Sequence, residues 1–308
     1  MSSYHFKFFL FARTDVWPEF SWQLDKLKIP SVLFSATFSK KSAEKFSLEN
    51  SLTRWSLNLL SNIYTVSEDD RDNLRSIQVR TPIQCLGDTR YDQVFYKKNA
   101  NEKKIPNRSY DKCIFVAGST WPEDEDILLP AMVKATESWR FVIAPHEISE
   151  VRLQKLESYF ADHRLISKRF SKIQFDLDTG RDWDVIIVDL YGYLFHLYSW
   201  ANLAFVGGSF KAKVHSVMEP LSYFKPVCVG PFHSNNREAI EFSQILAEKA
   251  PITWVSIIES SDDLKVLLQK LARSTFEEKL KMEEELTILL ENHLGATSKT
   301  YDSIKAYL

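Results

Sequence analysis

The chain has 308 residues, near the upper limit for one hydrophobic core, so one large or two moderate domains are expected. Hydrophobic residues make up 44% and charged residues 26%, which excludes a disordered chain or a collagen-like fibre. A net charge of -2 argues against bulk electrostatic binding to nucleic acid and leaves only a local basic cleft open.

The apolar run over 6–12 is interrupted by Lys7 and is too short to span a bilayer. It reads as a buried strand. A helix over 19–28 and a strand over 32–35 follow. Helices over 50–60 and 68–75, with Ser67 as N-cap, are interleaved with strands over 63–65 and 83–85. Strands alternating with helices predict parallel pairing and an α/β class. Residues 96–110 are polar and basic and read as a linker; Lys97, Lys98, Lys103, Lys104 and Arg108 there suit either solvent or anionic lipid. A second alternation then begins, with strands over 112–117, 140–144, 185–188, 203–206 and 227–229. Helices over 123–137, 148–160 and 236–248 accompany them, and the tail from 261 is mostly helical. The apolar stretch 185–208 contains Asp189, His196 and Asn202 and is no membrane span. The expected domains are 1–95 and 111–308, joined by 96–110.

Cys85, Cys113 and Cys228 lie far apart, so neither a zinc site nor a disulfide framework is expected, and a reducing compartment fits. The chain has only 8 glycines, well below the roughly 7% that is typical. Several follow predicted strands: Gly118, Gly192, Gly207, Gly208 and Gly230. In parallel α/β sheets ligands bind at the carboxyl ends of strands. Glycine there lets backbone N–H groups approach a phosphate; a tight turn explains it equally well. His215 and Glu219 are four apart, which predicts one face of a helix. A histidine can donate to phosphate and a carboxylate can accept two ribose hydroxyls, although a surface pair has the same spacing. Asp176, Asp178, Asp182 and Asp184 form two D-x-D patterns that read as a solvated loop. The carboxylates of 122–126 suit a helix N-terminus without catalysis.

The segment VIIVDLYGYLFHLYSWANLAFVGGSFKAKVHSVMEPLSYFKPVCVGPFHSNNREAIEF resembles the donor-binding half of bacterial 3-deoxy-D-manno-octulosonic acid (Kdo) transferases. GDTRYDQV at 87–94, AGSTWPEDE at 117–125, IAPHEI at 143–148 and NHLGAT at 292–297 support it, in the family's order. The resemblance runs from about Trp17 to the C-terminus. It implies a GT-B glycosyltransferase: two Rossmann-like domains, the N-terminal one incomplete, with the substrate cleft between them. It also implies an inverting transfer of Kdo from CMP-Kdo to a lipid A precursor, without cofactor or metal, at the cytoplasmic face of the inner membrane.

Residue by residue, the resemblance implies a donor site. Ser119 and Thr120 match the turn opening the second domain, and His146 matches the histidine after its second strand. Asp189 and Gly192 match a D-x-x-G, with Tyr193 where Glu or Met is usual. Gly207, Gly208 and Ser209 match the glycine turn. His215 and Glu219 match the donor-site pair, although Lys213, Val214 and Ser216 replace the usual surroundings. Asn235 and Glu238 match a polar pair.

At the front, family members carry an anchor helix and three further strands, one ending in Gly-Glu with the proposed catalytic base. Arg13-Thr14-Asp15 stands where Glu-Thr-Glu is usual. Asp15 is therefore the one candidate base, and a helix cap is its simpler role. The chain alone is expected to bind donor and to transfer Kdo very slowly or not at all. Two other readings follow: a truncated or partner-dependent subunit whose companion chain completes the first sheet, and another sugar-nucleotide enzyme such as an epimerase.

Overall fold

A computed structural model describes residues 6–44, 48–100, 112–173, 182–247 and 252–307. The chain forms two compact units, residues 1–95 with 291–308 and residues 96–290. Both are α/β with parallel strands, as the alternation predicts.

In the first unit β1 (Phe9–Ala12), β2 (Ser31–Ala36), β3 (Asn62–Thr65) and β4 (Ile83–Cys85) pair in chain order. Each strand is added on the same side of its predecessor, so right-handed crossovers place every connecting helix on one face. Accordingly Leu24, Leu57 and Leu74, one from each of the helices Pro18–Lys26, Leu48–Leu57 and Glu68–Ser76, share a core with Phe11, Leu33 and Ile63. The period of two along β2 sends Val32 to the opposite face, where it meets Tyr64 and Ile304. Ser67 caps its helix as expected, its hydroxyl accepting from the Asp70 N–H at 3.2 Å. Asp15 caps nothing. The first helix starts at Pro18, whose ring suits the first helical position, and its cap residue is Trp17 with no side-chain bond.

The chain divides differently from the sequence expectation. Residues 96–100 are the last turn of the helix Thr89–Ala100 rather than linker; 101–110 lie outside the described residues. The tail is split. The helix Phe276–Glu291 packs within the second unit up to Leu290, where Glu283 pairs with Lys225 and the Lys279 ammonium lies 3.2 Å from the Cys113 sulfur. The helix Ala296–Ile304 belongs to the first unit. Asp92 holds its start, accepting from the Gly295 N–H at 2.7 Å and the Thr297 N–H at 2.6 Å. Its end closes the second face of the first sheet, with the Asn62 amide donating to the Tyr307 hydroxyl at 2.6 Å.

In the second unit the strands are β5 (Cys113–Thr120), β6 (Trp139–Pro145), β7 (Ser167–Arg169), β8 (Val185–Ile187), β9 (Leu203–Val206), β10 (Val227–Val229) and β11 (Val255–Ile257). Their order is β11-β10-β9-β5-β6-β8-β7. The chain runs outward from β5 through β6 to β7 and β8, then returns to the other side of β5 as β9. The topological switch point therefore lies between β5 and β9, where open parallel sheets bind ligands. β5, β6 and β9 are buried on both faces and read as continuous apolar runs. Among the described residues no helix is long and apolar enough to cross a membrane.

Replacing Asp92 by Ala leaves the Gly295 and Thr297 N–H groups without their acceptor. The expected cost is about 1–3 kcal/mol in urea unfolding of the first unit, with earlier proteolysis between 291 and 308.

Candidate functional site

The switch point is built by the segments that leave β5, β6 and β9. On β5 the register with β6 slips between Gly118 and Thr120, making Ser119 the extra residue of a bulge at φ 53°. Bulges of this kind re-aim side chains beside functional sites. The Ser119 hydroxyl has no partner among the described residues, whereas the Thr120 hydroxyl is spent on Glu125 at 2.8 Å. The backbone carbonyl of Thr120 accepts from the His146 N–H at 2.9 Å and from the Arg152 guanidinium at 3.0 Å, which ties the end of β5 to the end of β6.

In the glycine turn after β9 the N–H groups of Gly207, Gly208 and Phe210 already have acceptors within the protein. Gly207 donates to the Gly118 carbonyl at 2.8 Å. Gly208 and Phe210 donate to the Asp124 carboxylate at 2.7 and 2.9 Å, and the Trp121 N–H joins them at 2.9 Å. Asp124 is fully buried. Burial pushes its carboxyl up, and the N–H bonds from Gly208, Trp121 and Phe210 pull the other way. The glycines serve close packing. A Cβ on Gly207 would stand 2.1 Å from the Ser119 carbonyl oxygen, and Gly208 has φ 82° with the Lys213 carbonyl 2.2 Å from where its Cβ would be. Ser209 is equally engaged, its hydroxyl accepting from the Gly230 N–H at 2.7 Å.

What the crevice offers is side chains. Trp121 stacks on His146 at 4.7 Å between centroids, and His146 stacks on His215 at 4.6 Å. The Trp121 indole N–H donates to His215 Nε2 at 3.4 Å, which assigns the proton of the neutral ring to Nδ1. Burial, and then the neighbouring His146, hold His215 below the usual histidine range, so it is neutral near pH 7. The Lys211 ammonium sits 3.2 Å over the Trp121 ring.

His215 and Glu219 do not share a helix face. The helix starts only at Met218, and His215 lies in the irregular segment before it. Asn235 holds that segment by accepting from the Val214 N–H at 3.2 Å and donating to its carbonyl at 3.0 Å. Asn236 donates to the His215 carbonyl at 3.0 Å and caps the helix Arg237–Ser243, whose first turn contains the buried Glu238. Glu219 is partly buried. Burial pushes its carboxyl up, and Lys97, with Nζ 3.7 Å away, opposes this.

Asp189 and Gly192 stand apart from this cluster. Asp189 follows β8 and caps the helix Phe170–Ile173, accepting from the Ser171 N–H at 2.8 Å and its hydroxyl at 2.5 Å. Gly192 lies in an exposed turn. In the first unit Asp15 is exposed and its carboxylate has no hydrogen-bond partner among the described residues. Among those residues no group of three His, Cys, Asp or Glu side chains could hold a metal ion; Asp176 and Asp178 lie outside them. Sequence reasoning missed Trp121, Asp124 and Lys211. The signal for Asp124 was present, an acidic residue just after Ser-Thr-Trp-Pro, but its partners lie 84 and 86 positions away.

Residues 1–93 match the family model described as 3-deoxy-D-manno-octulosonic-acid transferase (kdotransferase). A bifunctional glycosyltransferase/methyltransferase of Fusobacterium nucleatum subsp. nucleatum is 26% identical over 234 residues, covering 74% of this chain and 36% of that protein. A 3-deoxy-D-manno-octulosonic acid transferase of Chlamydophila psittaci is 25% identical over 308 residues, covering 97% of this chain and 67% of the relative. The chain thus spans between about a third and two thirds of the length of these relatives. The crystal structure of UDP-GlcNAc 2-epimerase from Neisseria meningitidis bound to UDP-GlcNAc aligns with TM-score 0.56 and 14% identity, over 92% of this chain and 75% of that one. That likeness is one of fold.

Two outcomes test the geometry. Asp124→Ala strips the acceptor from N–H groups at Trp121, Gly208 and Phe210, and should lower unfolding stability by at least about 2 kcal/mol. Lys98 is held to about 8, against 10.5 normally, first by burial and then by Lys225. Below pH 8 its charge costs the folded state, and as pH rises from 8 to 10.5 the unfolded chain alone keeps the proton, so stability climbs. Lys98→Met should therefore be more stable than the parent at pH 7 in thermal unfolding, with the gap closing by pH 10.5.

Proposed function

We propose that the chain is a GT-B member of the 3-deoxy-D-manno-octulosonic acid transferase family, on the strength of the family-model match over 1–93 and its relatives, and that it transfers Kdo from CMP-Kdo to a lipid A precursor in lipopolysaccharide biosynthesis. The observation that carries the reading is the cluster of Ser119, Trp121, His146 and His215 at the switch point of the second unit. With the Gly207, Gly208 and Phe210 N–H groups occupied, the donor phosphate is met by side chains. The Ser119 hydroxyl and the His215 Nδ1–H are the donors, and His146 and Lys211 line the approach. Glu219 accepts the ribose hydroxyls. Thr120, Gly207, Gly208, Ser209, Asn235 and Glu238 hold the segments that carry these groups. The reaction needs no resident cofactor or metal. The acceptor is handled at the cytoplasmic face of the inner membrane, to which the chain binds peripherally.

A second reading concerns a partner. β1 has no neighbour on its outer side among the described residues, and Phe6, Trp17 and Phe20 are 64, 66 and 54% exposed beside it. An apolar edge of this kind is an association site. A companion strand, from another polypeptide or another part of a longer chain, pairs there. Leu10→Lys should then reduce the concentration-dependent association seen in sedimentation; unchanged association speaks against the companion strand.

Calorimetry with CMP tests the donor reading. The folded protein should bind CMP and prefer it to UDP, and Glu219→Ala should weaken binding by about 1–3 kcal/mol. Because burial raises the Glu219 carboxyl, affinity should begin to fall on acidification above the usual carboxylate range. Absence of CMP binding, or a preference for UDP as an epimerase would show, overturns it.

A further inference from the structure

Lys97 is the cation beside Glu219. It belongs to the last turn of the helix Thr89–Ala100, where the helix dipole favours a positive charge but does not fix the side chain. The side chain is nevertheless placed. Its Nζ lies 4.1 Å from the centre of the Phe195 ring and 3.7 Å from the Glu219 carboxylate, so the ammonium is held between an aromatic face and an anion. Lys98 makes the matching contact one residue on, 3.7 Å from the centre of the Phe224 ring. The Phe195 and Tyr223 rings pack at 5.2 Å, so the two lysines sit on neighbouring rings.

An exposed ion pair contributes little, because solvent screens it and two long side chains lose freedom to form it. This pair differs on both counts. Glu219 is partly buried, and the Phe195 ring confines the ammonium. Burial raises the Glu219 carboxyl, and the charge of Lys97 lowers it. The other titratable groups on the elements packed here have different tasks. The Tyr198 and Tyr223 hydroxyls are pushed up, Tyr223 to about 12, first by burial and then by Glu219 itself. His196 lies 3.3 Å from the Tyr223 hydroxyl, and His215 is held below the usual histidine range. Lys98 faces Phe224 beside the Lys225–Glu283 pair.

An ionised carboxylate only accepts, and it takes both vicinal hydroxyls of a ribose. A protonated one gives up that match. A site built for a hydroxyl rejects the analogue that lacks it, because its own polar group is then left unpaired. We propose that Lys97 is a specificity-determining positioning residue, holding the Glu219 carboxylate as the acceptor of two vicinal sugar hydroxyls so that a ribonucleotide is chosen over its 2′-deoxy analogue. The inference rests on the reading that Glu219 meets the donor ribose. Lys97 acts through Glu219 rather than on the nucleotide.

Titration calorimetry of the full chain with CMP and with 2′-deoxy-CMP, in steps between about pH 5 and 8, tests this. The parent should prefer CMP at least about tenfold at pH 7, the scale of one hydrogen bond to a charged group. Lys97→Met should cut that preference to about threefold or less, and Lys97→Arg should keep it. On acidification CMP affinity should begin to fall at a higher pH in Lys97→Met than in the parent, because the carboxyl rises once its cation is gone. The CMP phosphate and His215 titrate in both proteins, so the difference between the two profiles isolates Glu219. Glu219→Gln should lose the preference by itself, and adding Lys97→Met to it should change nothing further. Equal binding of the two nucleotides by the parent, an unaltered preference and pH onset in Lys97→Met, or a further loss when it is added to Glu219→Gln overturns this proposal and leaves the donor reading standing. A parent that binds no CMP overturns the donor reading and this inference with it.

Discussion

One buried carboxylate organises the second unit. Asp124 binds N–H groups from the segment after β5 and from the turn after β9, the two strands that flank the switch point. Parallel strands bring these loops near one another but do not fix their distance. Asp124 fixes it with charge-assisted bonds in a site closed to water, where an unmade hydrogen bond is expensive. Everything else in the crevice depends on that spacing. It sets the Gly207 backbone against the Ser119 carbonyl and the His215 ring over Gly208. It also brings Trp121, at the start of the helix that carries Asp124, within reach of His215.

The same arrangement changes how an anion can be received here. A glycine turn followed by a helix suggests a backbone cradle, yet this turn spends the Gly207, Gly208 and Phe210 N–H groups on its own scaffold. The positive end of the helix Pro122–Val133 is also complemented from within, by Glu123, Asp124 and Glu125 in its first turn. The side chains of the crevice are held rather than loose: the Trp121, His146 and His215 rings stack. A neutral imidazole held by an indole N–H presents a donor of fixed direction, whereas a solvated lysine would present a charge of no fixed direction.

Much of this was legible in the sequence because it is local. The strand over 32–35, Ser67 as a cap, and the strands over 203–206 and 227–229 all rest on residues within a few positions of one another. β7, with the sequence Ser-Lys-Arg, escaped because its side chains are polar and half-buried at the sheet edge. The site was legible as a set of positions but not as roles. Four-residue spacing suggested a helix from His215, but Asn235 and Asn236 hold that stretch in an irregular path from 21 positions away. Glycines after strands announced close approach without revealing whether the neighbour was a ligand or the protein itself. The tail looked uniformly helical, and nothing within it says that Asp92 holds one of its helices in the first unit.

That divided tail has a consequence for biosynthesis. The second unit is one uninterrupted stretch, and a ribosome delivers all of it before residues 291–308 appear. The first unit starts earlier yet finishes last, since the face carrying Val32 and Tyr64 is covered only when Ile304 arrives. During elongation the nascent chain thus carries a half-built, sticky sheet while the later unit matures behind it. Such an intermediate is a natural client for a holding chaperone, released when the helix Ala296–Ile304 docks.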